Sequence, residues 1–508
     1  MYRKRKIPLH AARHYEAGVD ELNLPLDSLA PRMGKGALPA ASAAYEDSIW
    51  LADDGKLYHC DGSAWTPFSG GGAKPTPTVL VAASNAITTT GADYICDGTA
   101  DEVQINLAIV DVATTGGVVQ LTEGTFTLAG SIVIDSSVTL RGCGKATQIQ
   151  WALGVAATTD MIPATGENDV VLEDLWLDGS RYSSGEYRML DLVTCNDWLI
   201  QRCVFTSCSE AALLMDNCSH IVIVRNRFYN NVRTIRTVAT TGACSKLCID
   251  GNYLYGGSSP AAIDMVGTDY SYIGGNIIDA LVTDEHAVSL NTSDFTSVCH
   301  NVLTLNDSSS NGYGVYNYRS DQSLIRGNSI YGGRPKIGLR GPAGFGTIVS
   351  ANVGRKDQFF YCNYDMNYNV IVGNVNRGWA VGNGFDIRDT LDTLLAYNLI
   401  YTSALHNMVL QGGAGTGNGV DDASVIGNRL MSAGGTYEGI GVNSGSTLNL
   451  LIGNNINGAA SGYGIDLDAG ANNGQCQFNH VRGNTLGWRD NATGTMKGAS
   501  AVNNNDLA

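Results

Sequence analysis

One frame of hydrophobic and polar positions recurs through the second half of the chain. It consists of an apolar residue, two variable residues, Asn, one variable residue and a second apolar residue. The Asn positions are Asn226, Asn252, Asn276, Asn301, Asn328, Asn352, Asn374, Asn398, Asn428, Asn454 and Asn484, about 26 residues apart on average. The residue three before the Asn is Ile, Val or Leu every time, from Ile223 to Val481. The residue two after it is apolar except at Gly354 and Asn376. Short β-branched strands repeating at this period, with Gly- and Asn-rich turns, predict coils stacked at about 4.8 Å. The expected fold is all-β: a right-handed parallel β-helix. A leucine-rich repeat would carry a fixed Leu frame, which is absent, and a propeller blade would need about 40–45 residues.

The Asn column has a physical reason. A buried amide at a turn can bond backbone groups and its copies in the coils above and below, forming a ladder. Asn also tolerates the left-handed backbone expected at such a turn. Weaker coils precede the ladder. Leu199–Phe205 fits the frame with Cys203 in the Asn slot, and Val171–Leu177 and Val138–Gly144 read as earlier coils. A last frame places Asn505 in the slot, three residues before the end of the sequence. The β-helix is therefore expected over residues 115–508.

Upstream, Thr99-Ala-Asp-Glu102 is a capping-box pattern. It predicts a helix with Val103, Leu107 and Val110 on one face. That helix would cover the open end of the first coil, and residues 78–114 form this entry segment. Residues 66–77 read as a Gly/Pro linker. Residues 1–65 hold a basic arm and a small unit of strands with Asp-Gly turns at Asp54-Gly55 and Asp61-Gly62.

Composition narrows the function. Gly is 62 of 508 residues, charged residues are 16%, and the net charge is −16. So acidic a chain is a poor partner for nucleic acid, whose phosphates call for clustered Lys and Arg. No run of 18 apolar residues supports membrane insertion. The charged start, Met1–His10, has no apolar stretch of the kind a secretory leader needs, so cytoplasmic synthesis is expected. The twelve Cys show no paired metal spacing, since Cys244-x-x-x-Cys248 lacks a second half. Buried free thiols, no metal and no cofactor are expected. The eight His are dispersed.

Three stretches carry a family resemblance. Ala92–Ala108, followed by Gly116–Leu128 and Val138–Gly142, resembles the entry of pectate-lyase-like β-helix proteins, bacteriophage tailspikes among them. His10–Leu22 is similar to a His-x-x-x-His…Gly-x-Asp-x-Leu segment near the start of tailed-phage fibre proteins, with Glu-Ala-Gly where two glycines are usual. Lys56–Trp65 resembles short modules of such fibres. The resemblance implies a virion surface spike or fibre: a homotrimer, attached to other virion proteins through residues 1–65, with the β-helix facing host surface polysaccharide. Many such proteins are depolymerases, glycoside hydrolases or polysaccharide lyases. Others are non-enzymatic head or tail decoration proteins, and the absence of a further module after Asn505 speaks for these.

The repeat also aligns a second strand coil by coil. Taking its third residue as outward, the stripe reads Arg236, Asp264, Ser289, Tyr316, Arg340, Cys362 and Asp386. Such a stripe suits sugar binding, or is simply a solvated sheet face. Arg236, Tyr316, Arg340, Tyr364, Asp386 and Arg388 are the candidate glycan contacts. Glycoside hydrolysis needs two carboxylates about 5 Å or about 6.5–9.5 Å apart, which stacked coils can supply. The candidate acids are Asp264 with Glu285 (near Asp284 and His286), and Asp365 with Asp389. Surface solvation or turn capping is the alternative role for each.

Overall fold

The computed structural model describes residues 33–37, 40, 49–52, 57–60, 63–67 and 77–503, less the segments 155–158, 181–186, 258–260, 281–285, 307–311, 333–335, 342–344, 356–359, 364–366, 381–382, 404–405, 412–419, 432–437, 444–445, 459–461, 469–470, 483–485, 492–495 and 498–501. Three parallel sheets run the length of a right-handed β-helix. One coil shows the plan: Val222–Val224 lies in the first sheet, Arg227–Tyr229 in the second and Arg233–Val238 in the third, and the chain returns to the first at Cys248–Asp250. The right-handed sense is the one that the strand twist favours for parallel crossovers. The second sheet has 16 strands and the third has 14. The first sheet already includes Thr78–Ala82, which pairs in parallel with Gly117–Leu121.

Each strand turns one residue in two toward the axis. In the first sheet that residue belongs to the column Ile200, Ile223, Ile249, Ile273, Val298, Ile325, all fully buried. These columns and those of the other sheets merge into one continuous apolar core. The Asn ladder closes the corner between the first and second sheets. Asn276 donates its backbone N–H and Nδ2 to Asn301 Oδ1 (2.9 and 3.0 Å), and Nδ2 also donates to Ile249 O (2.8 Å). The same bonds join consecutive residues from Asn226 to Asn454. At the near end, Cys203 N–H donates to Asn226 Oδ1, so Cys203 does occupy the slot below the ladder.

Two details of the ladder differ from expectation. The left-handed residue is the one before each Asn: Arg225 (φ 56°), Gly251 (63°), His300 (58°), Gly327 (68°), Tyr397 (54°) and Phe478 (56°). The Asn itself stays out of that region because its amide must line up along the axis. The rung after Asn454 is Asn479, not Asn484: Asn454 N–H and Nδ2 donate to Asn479 Oδ1 at 3.0 and 2.9 Å. There the inward residue three before the Asn is Cys476, and Val481 is the apolar residue two after it. A search for Ile, Val or Leu at the first position therefore slipped five residues. Asn484 and Asn505 lie outside the described residues.

The entry helix spans Glu102–Ala113, but it is rotated relative to the expected face. Ile105, Ala108, Ile109 and Val112 enter the core, whereas Val103, Leu107 and Val110 are about half exposed. No side-chain capping bond closes its first turn. Asp101 and Glu102 instead reach across, where their carboxylates accept Thr127 and Ala129 backbone N–H groups (2.7 and 2.9 Å). These bonds set the rotation. Ile109→Ala is expected to cost about 2–5 kcal/mol as a core truncation, and Leu107→Ala under about 0.5 kcal/mol. Urea unfolding of the two variants checks the difference.

Near the start, Ile49–Ala52, Leu57–Cys60 and Trp65–Pro67 pair antiparallel, and Met33–Gly36 adds in parallel. Cys143 is the exposed one among the described cysteines. No described helix is long and apolar enough to cross a membrane.

Candidate functional site on the third sheet

The outer face of the third sheet carries the densest chemistry. Its central outward column runs Asp191, Leu214, Arg236, Asp264, Ser289, Tyr316, Gly338, Tyr361, Asp386. Arg236, Asp264, Ser289, Tyr316 and Asp386 stand where the period-two reading puts them. Arg340 and Cys362 do not. Arg340 lies two residues further along, beside Tyr318 and Asn363. Cys362 faces inward and is fully buried, while Tyr361 takes the outward place. Aligning strands on their leading Gly caused the slip: the inward pair is Ile337 and Leu339, level with Val315 and Asn317.

Toward the start of the sheet, charges of opposite sign interlock across coils. Arg188 Nε donates to Glu210 Oε2 at 2.6 Å and Nη1 to Asp191 Oδ2 at 3.0 Å, with Asp160 Oδ2 3.6 Å away. Arg188 backbone N–H donates to Asp160 Oδ1 at 2.7 Å. Glu210 Oε1 lies 3.5 Å from Arg233 and 3.8 Å from Arg236, and Arg236 Nε lies 3.9 Å from Asp264. Burial pushes the Asp160 carboxyl up to about 6, with Asp191 adding repulsion. Burial also raises Asp264, against the Ser289 hydroxyl and the two nearby arginines. A carboxyl held near neutrality in a fixed polar frame can exchange protons with a bound ligand.

Aromatic groups follow along the same face. His286 packs its ring 4.7 Å from Tyr316 and 5.2 Å from Tyr313, and Tyr313 and Tyr316 are 4.9 Å apart. Gly338 leaves the space that the Tyr313 ring fills, since a Cβ there would lie 2.1 Å from Tyr313 Cε1. Tyr361 then sits beneath two guanidiniums, Arg340 at 5.9 Å and Arg388 at 5.5 Å. Arg388 binds Asp386 through two bonds of 2.8 Å, and Asn383 and Gln411 also donate to that carboxylate. Planar apolar faces beside fixed polar groups are what sugar rings engage.

The structure thus joins Tyr316, Arg340, Asp386 and Arg388 through Tyr361, and places Arg236 with Asp264 in the charged lattice. Asp389 is buried in the left-handed turn after its strand (φ 44°). Glu285, Asp284, Tyr364 and Asp365 lie outside the described residues. Asp160, Arg188, Asp191, Glu210 and Tyr361 escaped the sequence reading. For Asp191 a signal exists, because Leu190 and Leu192 continue the inward alternation two coils before Arg236. Among the described residues no group of three or more His, Cys, Asp or Glu is arranged to hold a metal ion.

No protein-family model matches the chain, and no curated protein matches it. Solved structures do match. DFA-IIIase from Arthrobacter chlorophenolicus A6, in complex with GF2, is similar at 13% identity over 64% of this chain and 94% of that one, TM-score 0.48. A tailspike protein mutant of E. coli bacteriophage HK620, in complex with a pentasaccharide, is similar at 13% identity over 69% and 75%, TM-score 0.45. ORF18 of Geobacillus virus E2 is similar at 14% identity over 73% and 74%, TM-score 0.42.

Proposed function

We propose that this chain is a bacteriophage virion surface spike or fibre protein whose β-helix recognises host surface polysaccharide. The observation that carries the reading is the third-sheet face, where stacked tyrosines and clamped ion pairs continue from Asp160 to Arg388. In this reading residues 1–65 attach the protein to other virion proteins, on the exterior of the tail or capsid. A homotrimer is supported by the second sheet, whose outward column includes Ile277 (45% exposed), Val302 (39%) and Val353 (36%). An exposed column that is apolar but for Ser329, between Val302 and Val353, is a surface that a partner subunit would cover.

The test is incubation of the purified protein with a panel of bacterial capsular polysaccharides and lipopolysaccharide O-chains, followed by binding measurement and product sizing. Binding of at least one is expected, and Tyr361→Ala should weaken it about tenfold, the loss of one buried aromatic face. Absence of any binding would leave the non-enzymatic decoration protein as the better reading.

A further inference from the structure

The corner between the third and first sheets holds a second buried column, and its early rungs are thiols. Cys195, Cys218 and Cys244 immediately precede Asn196, Ser219 and Ser245, which pair in parallel in that order. All three are fully buried free thiols. The next places hold hydroxyls: Thr268 is level with Cys244, and its N–H donates to Ser293 Oγ at 3.1 Å. In the same way Cys218 N–H donates to Cys244 Sγ at 3.3 Å, which aims that sulfur at the coil below. Cys218 Sγ donates to Leu192 O and Asp216 O at 3.3 and 3.4 Å. Cys195 Sγ donates to Val193 O and Ala164 O at 3.4 and 3.6 Å. Register partners on adjacent coils stand about 4.8 Å apart. That lies within the span of about 4.4–6.8 Å between the Cα atoms of a disulfide.

The three sulfurs are not equivalent. Hydrogen bonding from Cys218 holds the Cys244 thiol below its ordinary value in spite of burial. The Cys195 thiol lowers Cys218, but the Cys244 thiol and burial outweigh it and push Cys218 up to about 12. Cys195 is raised by its bond with Cys218 and by burial. One sulfur that favours the thiolate thus adjoins a thiol that keeps its proton. Cys244 also ends a surface loop in which Ala239, Thr240, Thr241 and Ala243 are exposed. Asp216 Oδ1 accepts the Thr240 and Thr241 N–H groups, both at 3.0 Å, and Asn217 N–H donates to Gly242 O at 3.2 Å. Opening this loop uncovers Cys244 without unstacking a coil. The cover excludes a bulky disulfide reagent and admits a small neutral oxidant.

We propose that Cys244 is a peroxide-reacting thiol and Cys218 its resolving partner, so that hydrogen peroxide joins two adjacent coils by a disulfide. The Cys244 sulfur, having released its proton, attacks one oxygen of hydrogen peroxide. The O–O bond breaks, and the departing hydroxide takes up a proton as water. Cys244 is left as the sulfenic acid, oxidised by two electrons. The Cys218 sulfur then attacks the Cys244 sulfur, and the S–O bond breaks. The hydroxide so displaced takes the Cys218 proton and leaves as a second water. In sum two thiols and one hydrogen peroxide give one disulfide and two waters. The proposal is independent of the glycan reading, yet it bears on the same face. Cys218 and Cys244 follow the strands Ala211–Asp216 and Arg233–Val238. A bond between them ties the ends of two strands whose Glu210 and Arg236 belong to the charged lattice.

The experiment treats the full reduced chain, carrying Cys143→Ser to remove the exposed thiol, with hydrogen peroxide. Remaining thiols are then alkylated in denaturant and the digest is read by mass spectrometry. The expected product is a peptide pair joined through Cys218 and Cys244, with the loss of both thiols, a higher melting temperature and reversal of each change by dithiothreitol. Adding Cys195→Ser should leave the product unchanged. Adding Cys218→Ser should abolish the bridge and leave a sulfenic acid on Cys244 that dimedone traps, which separates the reacting thiol from the resolving one. Adding Cys244→Ser should remove both products. Oxidised glutathione in place of peroxide should give no bridge in the folded chain. Recovery of Cys218 and Cys244 as alkylated thiols from the peroxide-treated parent overturns the proposal, whatever the variants do. So does a bridge from Cys218 to Cys195, or a bridge that forms only after the chain has been unfolded.

Discussion

Asn301→Ala should lower the unfolding free energy by about 3–5 kcal/mol, near the upper end for one substitution. Asn301 Oδ1 accepts the backbone N–H and the Nδ2 of Asn276, at 2.9 and 3.0 Å. Its own Nδ2 donates to Ile273 O at 2.9 Å and to Asn328 Oδ1 at 3.0 Å. Both flanking amides are shielded from water, with Asn276 and Asn328 at 0% exposure. Alanine would leave an N–H and a carbonyl buried without this partner, each at about 1–3 kcal/mol, because water cannot enter to replace the amide. Leucine should do no better, as bulk restores no hydrogen bond. The control is Asn455→Ala. That residue follows a ladder Asn but points outward and is exposed, so its loss should stay under about 0.5 kcal/mol. Thermal and urea unfolding of both variants decide the matter. A loss below about 1 kcal/mol for Asn301→Ala would mean that the ladder follows from the coil geometry rather than supporting it.

The ladder was legible because one residue type fills one slot, and the slot is defined by what a buried turn must satisfy. Inward columns were equally legible where β-branched residues filled them. Legibility failed where the marker was ambiguous. Gly314 and Gly338 look alike in sequence, yet the strands pair Tyr316 with Gly338, so the outward stripe slipped between Arg340 and Tyr361. Val103, Leu107 and Val110 recur at helical spacing as well as Ile105, Ile109 and Val112 do. The bonds from Asp101 and Glu102 to the neighbouring strand select between the two faces. The charged lattice was least legible of all. Arg188 and Glu210 are 22 residues apart and Glu210 and Arg236 are 26 apart, and loops of unequal length separate them. Only the completed register shows that they meet.

That lattice gives the last expected result: Asp160→Asn should stabilise the protein at pH 7.5 and give no such gain at pH 4. Burial and the neighbouring Asp191 raise the Asp160 carboxyl from 3.8 to about 6 in the folded chain. Between those values the native state binds a proton that the unfolded chain has released. Stability therefore falls as pH rises through this window, and above about 6 the fold carries the cost of an ionised Asp160, on the order of 1–3 kcal/mol. The side chain is 18% exposed, which puts the effect toward the lower part of that range. Asparagine removes the charge and keeps the oxygen that accepts the Arg188 backbone N–H. Arg188 retains Asp191 and Glu210 as partners. Other raised carboxyls, Asp264 among them, are common to both proteins and cancel in the difference. Melting curves of wild type and variant at pH 4 and 7.5 measure it. An equal shift at both pH values, or a less stable variant at pH 7.5, would mean that the attraction of Arg188 outweighs burial and that Asp160 is an ordinary ion-pair partner, not a group poised to exchange protons.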